Sequence, residues 1–368
     1  AVNLTDSDPV PPGQVSATHV VAADGSGDFE TIQAAVDAAV AGDTIAIQPG
    51  TYTEAVLVDR DLTISGDTGD PAAVVVEIPE DGPTVDFNGV DNGYGFLFDG
   101  VTAELSHLTI SGPGAGVSAL VATDGDLTAH HLVEDLDPYV DDPYGFLYAG
   151  GDTTGDIYAH STKAVVRFDG GARPTFREND VASLVRVRGQ AYPQVEDNAI
   201  GGIWLQGSAA PLIKNNTIDF GTIDGPAGGF GSCGIELSPG MKRATIVGNS
   251  VRNAPTGICV DRAVGAEITQ NDIAVEVVGV DLDQAEVSVR RSSITGDGDG
   301  IVVSGRSEAG IETNTVRVTG QGLRIVSPAA PYVTGNDICG GAGDVVNGDG
   351  VEIEIGASNR CKEATADQ

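Results

Sequence analysis

Residues 198–218 read NAIGGIWLQGSAAPLIKNNTI, and this stretch contains the pattern that decides the fold. It begins and ends on the same corner, an Asn followed two positions later by Ile. The segments between the corners alternate apolar and polar side chains, as strands with one buried face do. Such corners recur at nearly regular intervals, apart from one longer interval after Asn216, at Asn179, Asn198, Asn216, Asn249, Asn271, Asn314 and Asn336, with Ser292 in the equivalent place of one coil.

The repeat predicts a solenoid. A unit of about 22 residues is too short to bury its own apolar face, whereas parallel stacking of units buries a continuous column of Ile, Val and Leu. The crossover rule for parallel strands makes such a stack right-handed. We therefore predict an all-β fold, a right-handed parallel β-helix of about 13 coils, with a rise of ~4.8 Å per coil and a length of ~60 Å.

The corner asparagines are interpreted as structural residues. Asn tolerates left-handed backbone dihedral angles, and its side-chain amide can hydrogen-bond the Asn one coil away. A ladder of stacked asparagines satisfies buried amides along the axis. We therefore expect these asparagines to be left-handed and to form a ladder, and not to be catalytic.

One short stretch has helical periodicity. The open end of a β-helix exposes strand edges and needs a cover. Residues 28–42 read DFETIQAAVDAAVAG, with Asp28 as the expected N-cap and Gly42 as the expected stop. We predict an N-terminal capping α-helix at about 29–41. Its apolar stripe consists of Ile32, Ala35, Val36, Ala39 and Val40.

The domain organisation follows from the same repeat. A single β-helix domain is predicted over residues 18–361. Residues 1–17 are polar and Pro-rich and are expected to form a disordered tether, and residues 362–368 form a polar tail. Two segments depart from the repeat and are predicted as loop insertions, at about 134–155 and 219–232.

The charge balance excludes several partners. With 54 acidic and 19 basic side chains, the chain has a formal net charge of −35. We expect no nucleic-acid interface, because phosphate neutralisation needs Lys and Arg, and no membrane insertion, because no long apolar run occurs. The composition resembles that of proteins from extreme halophiles, in which molar salt screens self-repulsion; the alternative is an ordinary acidic extracellular protein.

The four cysteines predict two disulfides. Cys339 and Cys361 are separated by one repeat length, so the coil itself brings them within bonding range. Cys233 and Cys259 lie in successive coils but are offset, and their pairing is predicted with less support. Disulfides indicate an oxidising compartment. The predicted location is therefore extracellular or on the cell surface, of haloarchaeal type, after removal of a signal peptide.

Residues 19–58 read HVVAADGSGDFETIQAAVDAAVAGDTIAIQPGTYTEAVLV. The segments DGSGDF (24–29), TIQAAV (31–36) and PGTY (49–52) resemble the opening of pectin methylesterases and of many secreted proteins of the pectin-lyase-like β-helix superfamily. The resemblance covers about a tenth of the chain and implies the β-helix fold with its capping helix. The later coils are similar to the generic β-helix repeats of copper-site accessory proteins, epimerases and surface proteins.

The sequence departs from pectin methylesterases where their chemistry lies. Their catalytic Asp pair in a G-x-x-D-F-[IV]-F-G strand and their L-G-R-P-W segment are not found. Residues 155–163, GDIYAHSTK, resemble a family segment ending in Tyr-x-His but lack the preceding Gln-Asp-Thr. The resemblance therefore does not imply esterase activity.

Alignment of the coils predicts a binding face on one sheet. Trp204 is the only Trp, and it lies beside Arg186 and Arg188 in a chain with few cations. Indole rings stack on sugars, Arg binds carboxylates or sulfates, and paired carboxylates suit acid–base catalysis. The predicted substrate-binding residues are Arg186, Arg188, Trp204, Gln206, Glu236, Asp261, Asp281 and Asp283.

The proposed binding face has an alternative explanation. The Arg and acidic side chains of neighbouring coils could simply neutralise each other on a solvated sheet. The insertion at 219–232 is expected to wall a groove beside Trp204. The first outward row is expected to continue through Arg324 to Glu352, with Glu354 in the second row.

Two sets of side chains suggest metal binding. A calcium site is predicted in the first insertion, although solvated loop acids are the alternative. His107, His130 and His160 lie at comparable points of early coils, which indicates either a metal or acid–base row or turn and surface histidines. The predicted calcium ligands are Asp135, Asp137, Asp141 and Asp142.

Two classes of function remain. The first is a secreted or surface-exposed halophilic rod, structural or adhesive, with a glycan-binding face, such as a surface, filament or virion component. The second is a polysaccharide-active enzyme of lyase, epimerase or esterase type that uses the Arg, Trp and Asp groove. The expected partners are a carbohydrate or a glycosylated surface, and a further copy of the chain in a homo-oligomer.

Overall fold

The computed structural model describes residues 16–86, 91–113, 116–136, 145–222 and 231–347, together with Asn359 and Cys361. The chain divides into two compact units, Ala1–Val181 and Ala182–Gln368, called here the N-terminal and C-terminal units. Each is a stack of short parallel strands, and the solenoid has about 14 turns. The predicted parallel β-helix is confirmed.

The N-terminal unit has one α-helix in its described part, α1 (Ile32–Ala38), and a one-turn 3₁₀ helix at Pro71–Ala73. Its strands are β1 (Thr18–Val21), β2 (Asp43–Ile47), β3 (Gly50–Thr53), β4 (Val56–Val58), β5 (Leu62–Gly66), β6 (Val74–Glu77), β7 (Thr84–Asp86), β8 (Asp91–Asp99), β9 (Thr102–Gly112), β10 (Val117–Thr123), β11 (Asp126–Leu136), β12 (Leu147–Gly150), β13 (Asp156–Tyr158), β14 (Ser161–Thr162), β15 (Val166–Phe168) and β16 (Thr175–Arg177).

Strand β17 (Asp180–Val187) crosses the boundary between the units, and a 3₁₀ turn lies at Phe220–Thr222. The strands of the C-terminal unit are β18 (Gln194–Glu196), β19 (Ala199–Leu205), β20 (Leu212–Lys214), β21 (Thr217–Asp219), β22 (Cys233–Leu237), β23 (Thr245–Val247), β24 (Ser250–Asp261), β25 (Val264–Thr269), β26 (Asp272–Asp283), β27 (Glu286–Arg290), β28 (Ser293–Gly296), β29 (Asp299–Ser304), β30 (Gly310–Glu312), β31 (Thr315–Val318), β32 (Gln321–Ile325), β33 (Tyr332–Thr334), β34 (Asp337–Gly340) and β35 (Gly343–Asn347).

The core of the C-terminal unit is a column of apolar side chains from successive coils. Parallel pairing places Ile203 against Ile235, and the register continues in step through β24, β26, β29 and β32. Full burial of one such side chain contributes about 1.5–3 kcal/mol relative to exposure, so the column stabilises the stack. The fully buried members are Ile203, Ile235, Ile258, Val280, Ile301 and Leu323.

The N-terminal unit is built in the same way. The strand register stacks Ile45 on Ile64 and Ile64 on Leu105, and all three side chains are fully buried. The hairpin of β7 and β8 is antiparallel, with Thr84 opposite Gly93. Strands of successive coils, such as β2 with β5 and β9 with β11, pair in parallel as the repeat predicts.

The predicted asparagine ladder runs through the interior of the C-terminal unit. Asn198 donates its backbone N–H to Asn216 Oδ1 at 3.1 Å, and Asn216 donates likewise to Asn249 Oδ1 at 2.9 Å. Where Ser292 replaces Asn, its Oγ accepts from the N–H of Asn271 at 3.3 Å. The ladder therefore satisfies one buried N–H per coil, which would cost about 1–3 kcal/mol if left without a partner.

The predicted backbone conformation of the ladder asparagines is wrong by one residue. The left-handed position is the residue directly before each ladder residue, and it is not restricted to Asn or Gly. The side chains at this position are exposed, so polar residues of different sizes occupy it without entering the core. Examples with positive φ are Asp197 (57°), Asn215 (54°), Gln270 (57°), Arg291 (50°) and Thr313 (56°).

The capping helix is shorter than predicted. It begins after Thr31, whose side chain accepts a hydrogen bond from the N–H of Ala34 and forms the N-cap. The predicted N-cap, Asp28, instead accepts from the N–H of Val20, and Phe29 forms a β-bridge to Val21. Pairing with β1 therefore holds residues 28–29 extended, and this contact overrides the helical periodicity.

The C-terminal part of the predicted helix also unwinds early. Ala39 has extended dihedral angles and ends the helix, and Val40, expected on the apolar stripe, is 39% exposed. Gly42 has φ 89° and reverses the chain into β2. At the other end, the Glu54 carboxylate accepts the N–H groups of Ile32 and Gln33 at 2.8 and 2.9 Å, which anchors α1 on the first coil.

Both predicted disulfides are confirmed. Cys233 and Cys259 pair across 26 residues with Cα atoms 5.9 Å apart, and Cys339 and Cys361 pair across 22 residues at 4.8 Å. The first bridge joins β22 to β24 within the C-terminal unit.

None of the helices in the described ranges has the length and apolar composition that crossing a membrane requires.

Candidate functional site

A row of outward side chains crosses the C-terminal unit. The register stacks Trp204 on Glu236, Glu236 on Cys259, and Cys259 on Asp281. The row continues through Val302 to Arg324, as the repeat alignment predicts. Because adjacent parallel strands lie about 4.8 Å apart, Glu236 and Asp281 are separated by about 10 Å.

The end of this row differs from the prediction. Arg324 pairs in register with Val346 of β35, not with Glu352. Val346 lies 22 residues after Arg324, which is one repeat length, so β35 keeps the regular spacing and the prediction placed this strand six residues too late. Glu352 and Glu354 lie outside the described residues.

The Trp end of the row is held by a chain of contacts. The Arg186 guanidinium lies over the Trp204 ring, 4.9 Å from its centroid. The indole Nε1 donates to Ser238 Oγ at 2.7 Å, and Ser238 Oγ donates to Glu236 Oε1 at 3.3 Å. Glu236 Oε2 in turn accepts from the N–H of Gly231 at 3.2 Å. The indole is therefore fixed in orientation, while it remains half-buried.

Arg188 and Gln206 lie beside this arrangement. Each follows two residues after Arg186 or Trp204, so its side chain points to the same outer face. Both are half-buried. The structure thus brings together the four predicted residues of this end, and the adjoining insertion is described only to residue 222 and from residue 231.

The acidic end of the row contains two carboxylates on one strand. Asp281 and Asp283 are two positions apart on β26 and both face outward. Burial, with a further contribution from the negative charge of Asp283, raises the pKa of Asp281, and Arg324 partly opposes this. Ser304 Oγ donates to Asp283 Oδ1 at 3.3 Å. Asp281 therefore holds its proton to a higher pH than an ordinary Asp does.

The Asp261 carboxylate contacts the next residue in sequence, Arg262. Its two carboxylate oxygens accept from Nε and a terminal nitrogen of Arg262 at 2.9 and 3.0 Å. The pair lies on the surface, where such ion pairs contribute little to stability. Asp261 is thus ion-paired with its neighbour in sequence, which is not the pairing between rungs that the alternative interpretation proposes.

A second cluster lies in the N-terminal unit and consists of three histidines. His107 and His131 are on consecutive coils, and their rings are stacked with centroids 5.0 Å apart and planes within 6°. His130 Nδ1 lies 2.9 Å from His131 Nδ1, and His130 Nε2 lies 3.1 Å from Glu104 Oε1. One nitrogen of each His lies within 4.8 Å of the other two. Burial, then the charges of His131 and His130, lower the pKa of His107.

His160 does not belong to this cluster, although the sequence grouped it with His107 and His130. It is 3% exposed and occupies the ladder position of its coil. Its Nδ1 accepts from the N–H of Leu132 at 3.2 Å, and its Nε2 lies 2.9 Å from the carbonyl oxygen of Ala129. Burial lowers its pKa to about 3. His160 is therefore a neutral structural residue that replaces Asn in the ladder.

The third member of the cluster is His131. Equivalent strand positions were compared in the sequence, and His131 lies at a corner, so it was not grouped with His107 and His130. The available signal was the separation of His107 and His131, which equals the offset between β9 and β11. Within the described residues, these three histidines form the one group of His, Cys, Asp or Glu arranged to hold a metal ion.

One of the four predicted calcium ligands, Asp135, lies among the described residues. Asp135 lies on β11 and is exposed. Asp137, Asp141 and Asp142 lie outside the described residues. The calcium site stays a prediction.

Comparison with protein families matches the chain to the model described as "Right handed beta helix region", over residues 156–338 and again over 233–367. Together these matches cover more than half of the chain. A comparison with curated protein sequences found no match.

Comparison with solved structures finds β-helix proteins. A periplasmic alginate epimerase is 14% identical, with 85% of this chain and 78% of that chain covered and a TM-score of 0.53. The Dettilon tailspike protein is 13% identical, with 83% and 62% covered and a TM-score of 0.50, so this chain spans less than two thirds of the tailspike. A pectin methylesterase from carrot is 17% identical, with 72% and 84% covered and a TM-score of 0.42. At these identities the similarity shows the fold alone.

Proposed function

The chain belongs to the family of the right-handed β-helix region, and from that premise we propose that it is an extracellular structural or adhesive protein whose sheet face binds polysaccharide. The binding face is the outward row from Arg186 and Trp204 to Asp281 and Asp283. We propose acidic or sulfated sugars as ligands of its Arg end, with sugar hydroxyls donating to the carboxylates that follow.

The observation that carries the proposal is the contact of Arg186 with Trp204. The Arg186 guanidinium lies 4.9 Å from the centroid of an indole ring whose Nε1 is held by Ser238. An aromatic face beside a guanidinium offers C–H stacking and a bidentate anion contact within one sugar residue.

The test is a glycan array followed by calorimetry with the best ligand. Trp204→Ala and Arg186→Ala are each expected to weaken binding by on the order of 1–3 kcal/mol, as truncated interface anchors do. Tyr332→Ala is the matched control, because Tyr332 is an aromatic side chain of the same unit that is 64% exposed and lies off the row. If a ligand is found and all three variants bind it as tightly as the unchanged chain, the binding site lies elsewhere on the protein.

Asp281 supports a second candidate, a polysaccharide-active enzyme. A carboxyl group with a raised pKa can act as a general acid, and Glu236 lies two rungs away in the position of a base. Asp281→Asn is expected to abolish product formation while leaving glycan affinity within about threefold. Asp272→Asn, at an exposed position of the same strand, is the control. If bound glycan stays intact over long incubation, the enzymatic candidate is rejected and only the binding function is retained.

The environment is part of the same proposal. Two disulfides support an oxidising, extracellular location. The net charge of −35 supports a protein adapted to high salt, because molar salt shortens the screening length to about 3 Å. The salt dependence of the melting temperature tests the adaptation to high salt separately from glycan binding.

A further inference from the structure

We propose that His107, His130 and His131 form a binding site for a divalent transition-metal ion, of which Zn²⁺ is the probe of choice. The site lies in the N-terminal unit, and it is independent of the proposed glycan face.

The fold brings the three side chains together through the coil register. Ser106 pairs with His130 and Leu108 with Leu132, so His107 and His131 occupy the same corner of consecutive coils. Both corners are left-handed, with φ 58° and 53°. This conformation is common to many corners of the solenoid, and it is the imidazole at both positions that distinguishes these two.

The donor atoms are close to the spacing that a metal requires. Zn–N bonds of about 2.0–2.1 Å in a tetrahedron separate ligand nitrogens by roughly 3.3–3.4 Å. In the structure His130 Nδ1 and His131 Nδ1 are 2.9 Å apart, and a His107 nitrogen lies within 4.8 Å of both. The His107 and His131 rings are stacked in the free protein, so binding requires them to turn out of this arrangement until the three lone pairs meet at one point.

Glu104 prepares His130 for this role. Its Oε1 lies 3.1 Å from His130 Nε2. A carboxylate only accepts hydrogen bonds, so Nε2 carries the ring proton and its N–H donates a hydrogen bond to Glu104. The lone pair of Nδ1 then points to the other histidines. A carboxylate that orients a ligand His through its second nitrogen is the usual outer partner of protein metal sites.

The surroundings fix the position of the cluster. The Tyr158 ring stacks on His130 with centroids 5.0 Å apart, and the Arg177 guanidinium covers Tyr158 at 4.3 Å. Arg177 is itself held by Asp156 at 2.6 Å. His131 is exposed, which leaves a route for the ion and room for a water or an anion as further ligand.

The chemistry of the donor set selects the ion. Three imidazoles suit Zn²⁺, Ni²⁺ and Cu²⁺, whereas Ca²⁺ and Mg²⁺ prefer oxygen ligands. The strongly negative chain attracts all cations to its surface, so specificity has to be tested against that background.

The test is calorimetric titration of the full chain with Zn²⁺, after removal of metals with EDTA, in molar KCl with millimolar Ca²⁺. We expect one Zn²⁺ per chain. His107→Asn and His131→Asn are expected to lower the affinity at least tenfold, because Asn keeps the left-handed corner but is a poor zinc ligand. Glu104→Gln is expected to lower it by about 10–100-fold. His19→Asn, a histidine outside the cluster, should bind as the unchanged chain does.

A second measurement does not depend on the variants. Co²⁺ in a site with three imidazoles should give visible absorption bands that excess Zn²⁺ removes. Uptake that Ca²⁺ or salt displaces, or that the His107→Asn/His131→Asn double variant retains in full, would assign the ions to surface carboxylates and overturn the site. Absence of saturable Zn²⁺ binding by the folded chain would overturn it as well.

Discussion

His160 should make the folded protein sensitive to acid at a single buried side chain. Its Nδ1 accepts from Leu132 and its Nε2–H donates to Ala129, so the ladder uses the neutral imidazole. Protonation would place a second N–H where an acceptor is needed and a charge where the side chain is 3% exposed. Burial is the main cause that lowers its pKa to about 3, and the charges of His130 and His131 add to it.

The sign and size of the effect follow from this shift. Between the ordinary pKa of about 6.5 and the folded value of about 3, the unfolded chain binds a proton that the folded chain does not. Stability therefore falls as pH falls below about 6.5, by about 1.4 kcal/mol per pH unit. From pH 6.5 to 4.5 the contribution of His160 amounts to about 2–3 kcal/mol.

The assay compares the chain with His160→Asn by urea unfolding in constant molar KCl and EDTA, from pH 7.5 to 4.5. Asn is the natural ladder residue, although it leaves space beside Phe146, whose ring centroid is 5.1 Å from that of His160. The variant should be less stable at pH 7.5, and its deficit should shrink by about 2–3 kcal/mol by pH 4.5. The titration of carboxylates cancels in the difference. A difference in unfolding free energy that stays constant across this pH range would refute the reasoning.

Three further predictions concern salt, the ladder and the last coil. The melting temperature should fall steeply between molar salt and roughly 0.1 M, where the screening length grows to about 10 Å, and a flat profile would contradict the halophilic proposal. Asn314→Ala should cost on the order of 2–4 kcal/mol by chemical unfolding, because it removes hydrogen bonds to Val289 and Asn336, whereas Asn314→Ser should cost less, as Ser fills one ladder position naturally. Cys361→Ser should destabilise the last coil by about 3 kcal/mol, seen as faster hydrogen exchange of β34 and unchanged exchange in β19.

The sequence was sufficient for the repeating part of the fold. Corners spaced by one coil fix the register, and the register alone places Trp204, Glu236 and Asp281 in one row. Both disulfides follow from the same argument, since one coil returns the chain to within bonding distance of its start.

Contacts between distant segments could not be predicted. The capping helix loses its first turn because Phe29 pairs with Val21, and no local propensity reports that pairing. The end of the outward row differs for another reason: Val346 lies one repeat length after Arg324, whereas the prediction followed the apolar alternation of residues 351–355. At the helix a tertiary contact overrides a periodic pattern, whereas at the last strand the repeat spacing itself was the better guide.

The histidines show how one position decides between structure and chemistry. At these corners the left-handed residue is at least partly exposed, and the residue after it turns into the ladder. His131 has φ 53° and is exposed, whereas His160 follows Ala159 at φ 57° and is buried. Both nitrogens of His160 are consumed by backbone groups, which removes it as a metal ligand. The ladder requires a neutral side chain that accepts one N–H, and Asn, Ser and His all meet this requirement. A search of the sequence for Asn alone therefore misses the ladder position that His160 occupies. A histidine placed one residue earlier, as His131 is, lies at the surface and keeps a lone pair for the proposed metal ion.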